Sequence, residues 1–244
     1  MLAKLVKYEF LATSRLIFPA YIGALLFGLI LRPATSNAAF DGFFLNASTF
    51  FFVVSIFAVV ILTFVIIVRR FSSSMFKDEG YLTHTLPVSV DALIWAKLIA
   101  AIGWTLLGIV IISFSTWFVT SGLWWNTLSL PHYVWQEIEH GLPYGLAGLL
   151  MFFSGLLFLP VGILSLYCAL SIGQMVKRFK VLLAIVVFFS ASFVLSFVTE
   201  ELNFAIRHQS DLLIAGVVFL YYLLQGTLFY FATRWVLRRR LNLE

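Results

Sequence analysis

Apolar residues in this chain come in long unbroken blocks, and the charged residues are gathered between them. A helix needs roughly 20 consecutive apolar residues to cross about 30 Å of hydrocarbon. Six blocks approach or exceed that length: Leu16–Leu31, Ala47–Val68, Leu98–Thr120, Leu142–Val176, Val181–Thr199 and Leu212–Thr233. None of them contains Asp, Glu, Lys, Arg or His. The fourth holds about 35 residues, roughly 52 Å of straight helix, so it must tilt, bend near Pro160 or begin in the interface. Ahead of the first block, Leu2, Leu5, Val6, Phe10 and Thr13 recur every three or four residues, with Lys4, Lys7 and Glu9 elsewhere around the wheel. That pattern predicts an interfacial amphipathic helix over residues 1–15, with a plain extension of the first span as the alternative. Glu9 and Arg15 break any signal-like run and no small-residue cleavage site follows, so this helix is expected to be retained.

Composition agrees with the pattern. Of the 244 residues 62% are hydrophobic and only 11% charged, against about 25% charged in soluble domains. The expected fold is therefore an all-α polytopic membrane protein, one transmembrane domain over residues 1–244. Charge then sets orientation. All of the 16 Lys and Arg except Arg32 and Arg207 fall on one alternating set of connections, which predicts that both termini and residues 72–91 are cytoplasmic. The opposite side carries Asp41, Glu137, Glu139, Glu200, Glu201 and Asp211, and its longest connection, 121–141, is rich in Trp and Tyr suited to the headgroup region.

The missing chemistry narrows the function. Spans without ionisable groups speak against an ion-driven pump, and no polar pore lining stands out for a channel. There is no phosphate loop, no H-E-x-x-H and no G-x-S-x-G, so the chain is not expected to be an enzyme or to bind a cofactor itself. His132, Glu137, Glu139 and His140 form one cluster with metal-like spacing, but an acidic, aromatic interfacial helix has the same letters, and no metal is expected. Cys168 stands alone, which excludes an intrachain disulfide. The basic residues are scattered over separate loops, which fits anionic lipid and not nucleic acid.

One segment resists the lipid-only description. Met75–Val90, MFKDEGYLTHTLPVSV, is a charged stretch with a proline near its end, between two apolar blocks. The connection from Arg69 to Asp91 has about 23 residues, too few to fold alone. Ser72, Ser73 and Ser74 offer N-caps for a short helix through Asp78 and Glu79; Pro87 ends it, and Ser89 can cap the next helix, whose first turn holds Asp91. Two readings stand: a helix showing Phe76, Tyr81, Leu82 and Leu86 to a soluble partner, or an interfacial loop tucked into headgroups.

With KLVKYEF at the N-terminus, FKDEGYLTHTLPVS before the third span and DALIWAKL leading into it, nearly the whole chain resembles the permease subunits of ABC-2-type exporters, in particular the compact six-span permeases of Gram-positive bacteria. The loop differs from the E-A-A-type loop of ABC importers. The resemblance implies that the segment between spans 2 and 3 is a cytoplasmic coupling helix for a soluble ABC ATPase, a role that falls on Phe76, Lys77, Asp78, Glu79, Gly80, Tyr81, Leu82, Leu86 and Pro87. It further implies a bacterial cytoplasmic membrane location, a dimer with a second copy of the chain, and two ATPase subunits that bring ATP and Mg. The cargo path would run between the copies along spans 2 and 5, past Phe50, Phe57, Phe64, Phe189, Phe193 and Phe197. Such a lining suits an amphipathic or hydrophobic cargo: a peptide first, as in exporters of toxin or antimicrobial peptides, with lipid or a hydrophobic antibiotic next. A membrane scaffold and a lipid-active enzyme are the alternatives outside transport. Many relatives carry re-entrant helices between spans 5 and 6, for which residues 200–211 leave little room.

Overall fold

The computed structural model describes residues 2–36, 42–76, 89–124, 145–176 and 178–239, which are helical almost throughout and contain no strand. The helices in chain order are α1 (Leu2–Ser36), α2 (Gly42–Phe76), α3 (Val90–Trp124), α4 (Gly145–Gly173), α5 (Lys180–Ile206) and α6 (Asp211–Arg239). All 6 are long and apolar enough to cross a membrane. Even the 27 residues of α5 reach about 40 Å at 1.5 Å per residue.

Several boundaries depart from the sequence pattern. Residues 2–15 are not a separate surface helix but the first turns of α1, which runs unbroken for 35 residues. The hydroxyls that could have interrupted it turn back on the preceding turn: Thr13 Oγ1 donates to the Glu9 carbonyl at 2.8 Å and Ser14 Oγ to Leu11 at 2.9 Å. The less exposed face of these turns, with Phe10 and Thr13, is spent on Trp104 of α3. Likewise Ser72, Ser73 and Ser74 do not start a new helix; they lie in the last turns of α2, where Ser74 Oγ donates to the Arg70 carbonyl at 2.8 Å. At the other end of the chain, α5 passes Thr199 and absorbs Glu200 and Glu201, because a helix of about 40 Å outruns about 30 Å of hydrocarbon and carries its last turns into water. The α5–α6 connection is then a tight turn, closed by Gln209 N–H to the Ile206 carbonyl at 2.9 Å, with no re-entrant helix in it.

Two compact units divide the chain, Ala3–Arg69 with Ile99–Glu139, and Arg70–Leu98 with His140–Glu244. In lipid, helices gain little from hiding apolar surface from one another; close packing and interhelical hydrogen bonds decide their pairing. The first unit shows both. Tyr21 of α1 donates to the Trp104 carbonyl of α3 at 2.8 Å and shares a hydrogen bond with Thr63 of α2 at 3.2 Å, while Trp104 Nε1 donates to Thr13 at 2.7 Å. Ile17, Tyr21, Ala24, Val59, Ile66 and Trp104 are buried around this network. Gly108 makes the approach feasible, since a Cβ there would lie 3.0 Å from the Tyr21 hydroxyl.

In the second unit α4 packs against both α5 and α6. Its buried face includes Val161, Leu164, Tyr167, Cys168 and Ser171, and α6 buries Phe229, Thr233, Val236 and Leu237. The last turns of α2 bury Phe71 and Met75, and the first turns of α3 bury Ile94 and Leu98. By contrast Ala184 is the buried residue of α5, and large apolar side chains of that helix such as Val181, Phe189 and Phe193 are exposed.

Candidate coupling site

Residues 77–88 lie outside the described residues, and with them Lys77, Asp78, Glu79, Gly80, Tyr81, Leu82, Leu86 and Pro87; of the expected coupling residues only Phe76 is placed. The cluster His132, Glu137, Glu139 and His140 also lies outside them. Both flanks of 77–88 are described, however, and the site is built from them.

The leading flank is the end of α2. Phe71 is buried, and its ring stacks on Tyr167 of α4 with centroids 4.0 Å apart and planes 7° from parallel. Phe76, one turn on, meets Phe71 edge to face at 5.9 Å. The trailing flank is the start of α3. Ser89 caps it as its position suggests, its Oγ accepting from Ala92 N–H at 3.3 Å, which satisfies one of the orphan donors of a first turn. Tyr167 reaches this flank too, its hydroxyl donating to the Lys97 carbonyl at 3.2 Å. One tyrosine of α4 therefore holds the last turns before the segment and the first turns after it.

Asp91 makes a second tie, to α6. Its Oδ1 accepts from the Tyr230 hydroxyl at 2.7 Å and its Oδ2 from Arg238 Nη2 at 3.0 Å, and Arg234 Nε lies 2.8 Å from Oδ1. The charges also suit the helices that carry them: an acid in the first turn of α3 and bases in the last turns of α6 each oppose the local end of the helix dipole. Trp95 covers the cluster, its ring centroid 5.7 Å from that of Tyr230. Each ion pair is partly solvated, and such pairs contribute about 1 kcal/mol or less. Their value here is geometric, since they fix where the first turn of α3 stands on α6.

The sequence marks Asp91 as a first-turn acid and Arg234 and Arg238 as topology-setting charges, and does not pair them. The available signal was an acid at one helix start and two bases one turn apart at a helix end. Tyr167 carried no signal in an unbroken apolar block. Nor did Lys97, which is buried in α3 one residue before the expected span.

The proposed cargo-path residues are all placed. Phe50, Phe57 and Phe64 stand seven apart on α2, and Phe189, Phe193 and Phe197 stand four apart on α5, all exposed. Within each unit they form an outward apolar face, and the rings of Phe193 and Phe197 meet edge to face at 4.8 Å.

Compared with family models, with curated proteins and with solved structures, the chain has no match.

Proposed function

We propose that this chain is the membrane-spanning permease subunit of an ATP-driven exporter of the ABC-2 type, carrying an amphipathic or hydrophobic cargo, a peptide first, outward across a bacterial cytoplasmic membrane. Residues 77–88 are the element that a soluble ATPase grips, both termini are cytoplasmic, and two copies of the chain work with two ATPase subunits that supply ATP and Mg. One observation supports this above the others: both flanks of 77–88 are fastened to spans beyond their own, through Tyr167 to α4 and through Asp91 to α6. A push on the segment is delivered to those helices. A loop that merely touched headgroups would have no need of such ties. The tight α5–α6 turn departs from the re-entrant helices of many relatives, so the reading rests on the cytoplasmic side and not on the outer one.

The test is ATP hydrolysis by this chain co-expressed with a candidate ATPase subunit and reconstituted in lipid, beside a variant carrying Glu79→Lys and Tyr81→Ala. The intact pair should co-purify and hydrolyse ATP, and the variant should lose assembly or coupling. A variant that assembles and works like the parent would leave 77–88 a plain loop and remove the reading's main support.

A further inference from the structure

Arg234 and Arg238 stand one turn apart near the end of α6 and share a single carboxylate, Asp91, so the group keeps a net positive charge. A guanidinium has five N–H donors. Arg238 gives one of them to Asp91, and its side chain is 49% exposed. The Arg234 Nε is buried and has no hydrogen-bond partner, although it lies 2.8 Å from Asp91 Oδ1. Beside these donors is a cleft of about 370 Å³ lined by Phe231, Arg234, Trp235 and Arg238.

An apolar track leads away from the cleft. Phe231, Leu228, Leu224 and Leu220 follow one another in steps of three and four along α6, and all are exposed. From Phe231 to Leu220 the track measures about 16 Å at 1.5 Å per residue, close to the roughly 15 Å half-thickness of the hydrocarbon. At its polar end Trp235 has the ring type that favours the headgroup level.

We propose that this cleft is a binding site for one anionic phospholipid, with the phosphate diester on Arg234 and Arg238, Trp235 beside the headgroup and an acyl chain along the track. Two guanidiniums recognise a phosphate through paired, charge-assisted hydrogen bonds. A free phosphate would use the arginines but not the track, which is why lipid is the occupant. Bound there, the phosphate shares both arginines with Asp91 and so bears on the tie between α6 and the first turn of α3.

The experiment uses the purified full-length chain in neutral detergent, titrated with dioleoyl phosphatidylglycerol, dioleoyl phosphatidylcholine or inorganic phosphate, with retained lipid counted by native mass spectrometry. Phosphatidylglycerol should be held about tenfold more tightly than phosphatidylcholine, which offers the same phosphate diester but whose choline cation is repelled by the net positive charge of the two arginines. Arg238→Gln should remove most of that preference, and Arg178→Gln, on the exposed α4–α5 turn, should leave it intact. Inorganic phosphate should not displace the lipid. Equal retention of the two lipids, equal weakening by the two substitutions, or displacement by inorganic phosphate would each overturn the proposal, the last pointing to a free-phosphate site. Should Arg238→Gln not remain monodisperse, Arg238→Lys decides, since it keeps the charge but loses the planar fork. A loss of threefold or more supports the site, and unchanged affinity sinks it.

Discussion

The Tyr21 hydroxyl touches both α2 and α3 from α1, with Thr63 and the Trp104 carbonyl as its partners. Hydrogen bonds between membrane helices are worth about 0.6 kcal/mol on average. With two such contacts, Tyr21→Phe is expected to cost about 1 kcal/mol. Ser115 offers the contrast, because its hydroxyl is buried without a hydrogen-bond partner. Ser115→Ala removes an unsatisfied polar group and is expected to be neutral or stabilising by up to about 1 kcal/mol. Reversible unfolding in mixed dodecyl sulfate micelles, followed by circular dichroism, measures both, and a Ser115→Ala loss as large as that of Tyr21→Phe would refute the contrast. At this scale the sequence is legible only in part. It shows that Lys97 borders an apolar block, but not that the side chain is buried. Hydropathy averages over a window and says nothing about which face of a helix a residue takes. Pairings such as Asp91 with Arg238, 147 residues apart, have no local signature at all.

Helices α4 and α5 form a hairpin whose turn is governed by two residues. A Cβ on Gly173 would lie 2.6 Å from the Lys180 carbonyl oxygen and 2.8 Å from Ala184 Cβ. These neighbours are backbone or nearly so and cannot swing aside, so Gly173→Ala should cost about 2 kcal/mol, as overpacked sites do. Gly155, in the middle of α4, has open space around it, and Gly155→Ala is the matched control expected to lose nothing. Phe179, just before α5, has φ 61° and ψ 33°, a left-handed conformation that costs an ordinary L-residue about 1–2 kcal/mol. Phe179→Asn should recover about 1 kcal/mol of it. Thermal unfolding in detergent ranks the set, and a Gly173→Ala protein as stable as the Gly155→Ala one would contradict the close approach. The elements themselves were the most legible part of the chain, because a 20-residue apolar block has few other fates than a spanning helix. Their ends were less so. Serine and threonine mark helix starts in water, yet Thr13 and Ser74 bond to carbonyls one turn back and sit inside α1 and α2. A periodic N-terminal face reads equally as a surface helix or as the packed side of a longer one, and Trp104 settles it as the second.

For the whole molecule, function turns on which side of the membrane holds residues 77–88. α5 bears on this most directly, because its connections are described except for residue 177. The turn before it carries Arg178, with Lys177 and Lys180 adjacent in sequence; the turn after it carries Arg207 and His208 between Glu200, Glu201 and Asp211. The positive-inside rule predicts a cytoplasmic first turn and an outer second one. Going back through α4 and α3, each crossing once, residues 77–88 then share the side of the α4–α5 turn. Labelling can test the chain of inference directly, since Cys168, the one native cysteine, is buried and replaceable by Ala. In that background Gln209→Cys, on the exposed α5–α6 turn, should react with a membrane-impermeant maleimide on intact cells. Met175→Cys, on the exposed α4–α5 turn, should react only after the cells are opened. Reaction of both on intact cells would mean that α5 does not cross. The reversed pattern would turn 77–88 away from cytoplasmic ATP; the ties of its flanks through Tyr167 and Asp91 would remain, but no soluble ATPase could reach it, and the export reading would fall while the fold stood.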